Sequence, residues 1–382
     1  MKTTEFQLNN FIAAGQQFFE DLTAELKIQQ IHVQALKCDH LCFRVGTTEE
    51  YSFYKLALSE YAQLLTEAMV NGRAISTFKL HRPFKTTTHD IELVELPAPK
   101  AGANYQTGFE HAEFVIREDF SIFKAKHPHL NFTEGGNKTL NPELCLKLKN
   151  EKQAKFHHLS LERVIEIEEA QIKEIIFDFD GTLINSREHI FEINRQMLTN
   201  ALGREVSLQE SIDKFEADFP KLFEAFGLAD PEKQKQAMAE WGIISDNYIY
   251  ELFEGALETL THLKSQGYRL HLWTARDEYS ARKILQHHKI EDFFITLSFA
   301  TTTNSKPHAQ SLRFDWTQAQ KDQMIMIGDS PTDMNGAKNI NAIRGAALWD
   351  PYAKKSSLIE TGAELFFHKM TDVLESFATK TL

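Results

Sequence analysis

"KEIIFDFDGTLINS", Lys173 to Ser186, sets two aspartates, Asp178 and Asp180, one residue apart directly after the apolar run Ile175-Ile176-Phe177. A short unbroken apolar run bounded by a Gly-Thr turn reads as a strand buried on both faces, and residues two apart at its end point to the same side. Two carboxylates held that close repel each other unless positive charge sits between them, so the stretch calls for a cation. Three more apolar strands follow, in "RLHLWT", "FFITLSF" and "QMIMIGD", with helical stretches between them. Strands alternating with helices predict a parallel sheet covered on both faces, an α/β arrangement from Ile175 onward.

Open sheets of this kind bind ligands at the carboxyl ends of their strands. At those ends the sequence places Asp178 and Asp180, Thr274 and Ala275 after "LHLW", Lys306 in "TNSKP", and Asp329, Ser330 and Asp333 in "GDSPTD". Four carboxylates, one Lys and two hydroxyls fit phosphoryl chemistry. A carboxylate attacks an anionic phosphate ester only if a hard cation such as Mg2+, held by Asp oxygens, bridges the two charges. Lys306 adds fixed positive charge, and Thr274 with backbone amides donates hydrogen bonds to the phosphoryl oxygens. An Asp nucleophile forms an aspartyl phosphate, while Asp180 protonates the leaving alkoxide and then deprotonates the attacking water. Between Ser186 and Gly267 lies an insertion rich in Glu, Lys, Gln, Ala and Leu, with Phe191, Phe215, Phe219, Phe223 and Phe226 at intervals suited to buried helix faces. It reads as a helical cap over the sheet, approximately residues 188–262.

"DFDGTL", "WTARD", "SKP" and "GDSPTDM", in that order, resemble the four motifs of the haloacid dehalogenase (HAD) superfamily over about residues 172–382. The resemblance implies a Rossmann-like sheet with a helical cap, Asp178 as nucleophile and Asp180 as acid/base. It also implies Thr274, Ala275 and Lys306 as phosphate binders, and Mg2+ held by Asp178, the Asp180 carbonyl and Asp329, with Asp333 steadying its water shell. A dehalogenase attacks carbon and needs no acid at the position of Asp180, whereas a phosphatase or phosphomutase uses one on the leaving oxygen. The expected activity is a phosphatase acting on a small phosphorylated molecule, with a phosphomutase on the same site as the alternative.

The amino-terminal part reads differently. Phe6 to Leu26 carries apolar residues at helical spacing, and "DHLCFRV", "ISTFKL", "IELVEL", "HAEFVI" and "LCLKLKN" follow, separated by helical segments such as Glu50 to Met69. Residues 1–168 therefore read as α+β with antiparallel pairing and residues 169–382 as a second domain. The boundary falls near "IEIEEAQ" (165–171), a stretch without Gly or Pro that reads as a short helix. If Leu41, Phe43 and Val45 face covering helices, His40 points the other way, and Ala112, Phe114 and Ile116 argue the same for His111. With a strand glutamate these histidines would converge on a divalent metal. "CDHLCFRV", "EAMVNGRAISTFKLHRP", "IELVELPAPK" and "GFEHAEFVI" are similar to the YecM-like branch of the vicinal oxygen chelate fold, which glyoxalases share. That resemblance, over about residues 10–165, implies βαβββ units and a divalent transition metal at His40, Glu95, His111 and His157. Alternation counted from Ile91 and Leu93 selects Glu92 in place of Glu95, and "KFHH" replaces the usual Glu of the last strand. A metal-free pocket is the alternative, and the module is either catalytic, making the protein bifunctional, or a regulatory ligand binder.

The bulk numbers bound these readings. At 382 residues, 42% hydrophobic and 25% charged, the chain is an ordinary globular protein of two or three domains. A formal charge of -12 argues against nucleic acid as a partner. No apolar run approaches the ~20 residues of a membrane span, and Glu5, Glu20, Asp21 and Glu25 interrupt any signal-like start. Cys38, Cys42 and Cys145 have neither metal-knuckle spacing nor the density of a disulfide scaffold, which suits a cytoplasmic setting. Oligomeric state is not specified by any of these features.

Overall fold

The computed structural model describes residues 6–102, 105–137, 139–216, 219–245, 248–301, 303–314 and 323–378, and the chain divides into two units, Met1–Ala170 and Gln171–Leu382. In the first, helix α1 (Leu8–Ile28) precedes two copies of one pattern. β1 (Lys37–Arg44), α2 (Thr48–Ser59), β2 (Ala62–Val70), β3 (Arg73–Lys85) and β4 (Asp90–Pro97) form one βαβββ module. β5 (Gly108–Val115), α3 (Phe120–Lys126), β6 (Phe132–Asn137), β7 (Asn141–Lys147) and β8 (Gln153–His157) form the other. A single eight-stranded sheet joins them in the order β2-β3-β4-β1-β5-β8-β7-β6. β1 pairs parallel with β4 and β5 with β8, while β1 and β5 run antiparallel at the centre.

Local chemistry fixes these elements. Thr47 accepts the Glu50 amide to start α2, and Asp119 accepts the Ser121 amide to start α3, replacing bonds that a first helical turn leaves unmade. α1 contributes Phe11, Phe19 and Leu22 to a core shared with Leu41, Phe43, Phe114 and Phe156 on one sheet face. The period-two alternation of a strand then turns His40, Cys42, His111 and Glu113 to the other face. The helix expected over Glu50 to Met69 is shorter than the sequence suggested, because α2 stops at Ser59 and β2 begins at Ala62. Asn71 and Gly72, with φ of 51° and 77°, turn β2 directly into β3 and set Val70 opposite Arg73. An Asn-Gly turn with both residues left-handed suits adjacent antiparallel strands, and this pairing overrides the helix-favouring Leu, Glu, Ala and Met of the segment. α4 (Leu161–Glu169), capped by Ser160, closes the unit.

The second unit opens with β9 (Glu174–Phe177). Helices α5 (Arg187–Leu202), α6 (Leu208–Asp213), α7 (Phe219–Phe226) and α8 (Pro231–Ser245) follow, then α9 (Ala256–Ser265), β10 (Arg269–Trp273), α10 (Glu278–His287) and β11 (Phe294–Ser298). β12 (Met324–Gly328), α11 (Pro331–Asn339), β13 (Ile343–Ala347), α12 (Lys355–Glu360), β14 (Leu365–Phe367) and α13 (Asp372–Ala378) complete it. All six strands are parallel, ordered β11-β10-β9-β12-β13-β14. The order reverses between β9 and β12, so the ligand crevice of this Rossmann-like sheet opens at their carboxyl ends. Ile175, Ile176, Phe177, Ile325, Met326 and Ile327 are fully buried there.

α5 to α8 carry a separate core built on Met197, Leu198, Val206, Leu222, Phe223 and Phe226. The segments leading into and out of this bundle pair with each other: the Asn185 amide donates to Glu251 O (2.8 Å) and the Phe253 amide to Leu183 O (3.0 Å). α9, although part of the insertion, packs on β10 and α13. Among the described residues no helix is long and apolar enough to cross a membrane.

Candidate functional site

β9 ends at Phe177, so Asp178 stands one position past it, its amide donating to Ile327 O of β12 (2.9 Å). β12 ends at Gly328 and delivers Asp329 beside it. Ser330 then caps α11, and Asp333 Oδ2 accepts the Ser330 amide (3.0 Å) and hydroxyl (2.7 Å). Lys306 Nζ donates to Asp178 Oδ1 and to Asp333 Oδ1, 2.5 Å from each. Oxygens of Asp178, Asp329 and Asp333 lie within 4.8 Å of one another. The first turn makes this closeness possible, since Gly181 has φ of 76° and a Cβ there would lie 2.3 Å from Asp329 Oδ2.

The cluster is short of positive charge. Burial pushes the Asp178 carboxyl well above its ordinary value and the Asp333 carboxylate adds to this, against the Lys306 ammonium. Burial likewise lifts Asp329 to about 6 in spite of Arg187, with Asp333 and Asp350 adding to the rise. Lys306 keeps its proton: burial pulls its ammonium down, but Asp178 and Asp333 outweigh that. Three buried carboxylates presenting only oxygen suit a hard divalent cation such as Mg2+, whose charge would relieve the repulsion that raises Asp178 and Asp329.

Asp180 sits in another environment. Arg276 grips both of its oxygens, with Nε 3.0 Å from Oδ2, and the Ser186 hydroxyl donates to Oδ1 (2.7 Å). Burial alone would push Asp180 up, but the Arg276 guanidinium and Ser186 outweigh it and hold the carboxyl below the ordinary range. Two carboxylates two residues apart therefore sit in opposite electrostatic environments, Asp178 pushed up by burial and Asp180 held down by Arg276 and Ser186. Thr274 is buried; its hydroxyl oxygen accepts the Arg276 amide (3.0 Å), which leaves its O–H free to donate. Ala275, between them, is exposed.

The first unit gathers its own polar group on the sheet face opposite the core. Nitrogens and oxygens of His40, Glu95 and His111 lie within 4.8 Å of one another. His40 Nδ1 is 3.1 Å from Asp39 Oδ2, and His111 Nδ1 is 3.1 Å from Glu110 Oε2. Both Nε2 atoms are buried without a hydrogen-bond partner. His157 does not join this trio and groups with Glu113 and Glu143 instead. Glu113, absent from the sequence expectation, stands between the groups: its Oε1 is 3.6 Å from His40 Nε2 and 3.1 Å from His111 Nε2, and its Oε2 is 2.6 Å from His157 Nε2. Lys155 Nζ lies 3.2 Å from Glu113 Oε1 and 2.9 Å from Glu143 Oε2.

The choice between Glu92 and Glu95 has a structural answer. Val94 and Leu96 join Ile91 in the core, so the alternation slips by one residue along β4, where β3 bulges between Lys79 and Phe84. Glu92 is half exposed and pairs with Lys79, while Glu95 faces His111. Sequence reasoning missed Arg187, Arg276 and Asp350 in the second unit as well as Glu113 in the first. Signals existed for three of them: Arg276 follows Thr274 by two residues, Asp350 ends "RGAALWD" at another strand end, and Glu113 shares a strand face with His111. His271, on β10, is buried between Glu174 and Thr296 at 2.8 and 2.7 Å. The three cysteines are free and buried.

Comparison with known proteins divides the chain in the same two parts. Residues 7–168 match the family model described as YecM protein, and residues 175–347 that of haloacid dehalogenase-like hydrolase. The pyrophosphatase PpaX of Bacillus cereus (strain B4264) is 26% identical over 211 residues, covering 53% of this chain and 95% of that protein. The PpaX of Halalkalibacterium halodurans is 29% identical over 182 residues, 44% of this chain and 80% of that one. Among solved structures, one described as a predicted phosphatase from Clostridium acetobutylicum is similar with a TM-score of 0.49 and 20% identity, covering 55% of this chain and 99% of that one.

Proposed function

We propose that this chain, whose residues 7–168 match the YecM protein model and 175–347 that of a haloacid dehalogenase-like hydrolase, is a hydrolase whose second domain cleaves a small phosphate monoester by way of phospho-Asp178. The observation that carries this reading is the contrast at the end of β9, where Asp178 lies 2.5 Å from Lys306 among metal-competent oxygens while Asp180 is claimed separately by Arg276. Asp178 Oδ attacks phosphorus as the ester P–O bond breaks. Lys306 and the Thr274 hydroxyl, with the Ala275 amide, take the phosphoryl oxygens. Asp178, Asp329 and the Asp180 carbonyl would hold Mg2+, with Asp333 behind them, and the ion supplies positive charge where two anions must approach. Asp180, ionised by Arg276, is ready to take a proton from the water that hydrolyses the acyl phosphate. To protonate the leaving alkoxide in the first half-reaction it must carry a proton, which requires Arg276 to loosen as the substrate arrives. The named relatives include pyrophosphatases, so phosphate esters and anhydrides both belong in the test. Phosphate release is measured with Mg2+ and with EDTA for wild type and Asp178→Asn. Release that needs Mg2+ and is lost in the variant supports the phosphatase, and activity unchanged in Asp178→Asn refutes it.

For the first domain the favoured reading is a transition-metal site at His40, Glu95 and His111. Its support is that both imidazoles have Nδ1 held by a carboxylate, while both buried Nε2 atoms make no hydrogen bond and turn toward carboxylate oxygens of Glu95 and Glu113, the arrangement in which an outer carboxylate orients a ligating histidine. Elemental analysis of the full chain, stripped and then reloaded with Zn2+ or Co2+, tests it. One bound ion lost in His40→Ala is the expected result, and equal loading of both proteins removes the site.

A further inference from the structure

Arg187 opens the first cap helix, yet its guanidinium turns into the catalytic cluster. It donates to Asp329 Oδ2, its Nε lies 3.9 Å from Asp350 Oδ2, and its side chain is 12% exposed. The Phe215 ring lies 5.0 Å from its Cζ. Asp350, just past β13, is buried; one oxygen accepts the Tyr352 amide (2.8 Å) and the other has no hydrogen-bond partner.

The cations of the site divide cleanly among its carboxylates. Lys306 serves Asp178 and Asp333, and Arg276 serves Asp180. Arg187 is left to face Asp329 and Asp350, with Asp329 its hydrogen-bonded partner. Asp329 is also a residue that the proposed Mg2+ would claim, and a divalent ion on that carboxylate weakens its hold on the guanidinium. Arg187 cannot respond by losing its proton. It stays charged, largely shielded from water and carried by the first helix of the cap. Its planar fork of donors matches a carboxylate or phosphate.

We infer that Arg187 receives a second anionic group on the substrate, a carboxylate or another phosphate attached close to the reacting phosphorus. This rests on the phosphatase reading. It narrows the substrate class to phosphate esters or anhydrides whose leaving portion is itself negatively charged. A second consequence concerns the metal: because Arg187 holds Asp329 when substrate is absent, it competes with Mg2+ for that carboxylate.

The full chain and its Arg187→Met and Arg187→Lys variants provide the test. Calorimetric titration with Mg2+, without substrate, should show tighter binding in Arg187→Met by several-fold. Turnover of inorganic pyrophosphate, phosphoglycolate and p-nitrophenyl phosphate is then compared; the first two separate a phosphate from a carboxylate as the recognised group, and the third carries neither. The ratio of kcat/KM for the better anionic substrate to that for p-nitrophenyl phosphate should fall at least tenfold in Arg187→Met, chiefly through KM, and recover in part in Arg187→Lys. An unchanged ratio, or weaker Mg2+ binding with equal losses on all three substrates, overturns the inference while leaving the phosphatase standing. No phosphate release by wild type from any of them overturns both.

Discussion

His40 offers the sharpest electrostatic test of the first domain. Its ring is 1% exposed, and burial alone would push an imidazole below its ordinary value of 6.5; Glu113 and Asp39 reverse this and lift it to about 9. A folded value above the unfolded one means that folding favours the protonated ring. The resulting stability is fully present below pH 6.5 and is lost as pH rises through about 9. A rise of that size, at about 1.4 kcal/mol for each pH unit, gives roughly 3 to 4 kcal/mol for the metal-free protein. Glu113→Gln keeps the shape and removes the charge, so His40 should fall by at least a unit and most of the alkaline loss of stability should go with it. Histidine-selective 15N NMR of chelator-stripped protein reads the ring directly, and urea unfolding of the first transition at pH 6 and pH 9 reads the linkage. His40 titrating at or below 6.5 in the wild type would refute the reasoning, as would an unmoved value in Glu113→Gln.

Two further outcomes follow from packing. Gly181→Ala places a Cβ 2.3 Å from Asp329 Oδ2 at a φ of 76°; the left-handed backbone costs about 1 kcal/mol, and the displaced carboxylate should weaken Mg2+ binding and lower kcat/KM by on the order of tenfold or more. Wild-type Mg2+ affinity in that variant would show that Asp329 does not need its present position. Phe223→Ala empties a 1% exposed site in the core of the cap, beside Leu222, Phe226 and Phe219. Scanning calorimetry should record a loss of about 3 to 5 kcal/mol, and a loss below about 1 kcal/mol would mean that the cap does not rest on this core.

What the sequence revealed depended on how local its signal was. Asp178, Lys306, Asp329 and Asp333 were legible because Asp178 and Asp329 directly follow β9 and β12, while Lys306 and Asp333 lie in the segments that leave β11 and β12, and a parallel sheet brings all such ends to one edge. The partners of Arg276 and Arg187 were not, because a guanidinium on a long stem reaches a carboxylate fixed by the fold: Asp180 lies 96 residues from Arg276 and Asp329 142 residues from Arg187. β2 was hidden by helix-favouring composition although "VNGR" carried the turn that makes it a strand. β13 and β14 are short and give weak patterns. Glu95 was ambiguous because alternation assumes an unbroken pleat, and the bulge in β3 breaks the match with β4.

The paired segments at the base of the cap have a mechanical consequence. Asn185, bonded to Glu251, is adjacent to Ser186, whose hydroxyl holds Asp180; Tyr250, adjacent to Glu251, lies under the Arg276 guanidinium that holds the same carboxylate. Both grips on Asp180 are thus geared to one small two-stranded joint. Any swing of the helical bundle would therefore act on the Asp180 carboxylate through the same few atoms, which ties the position of the cap to the grip on that side chain.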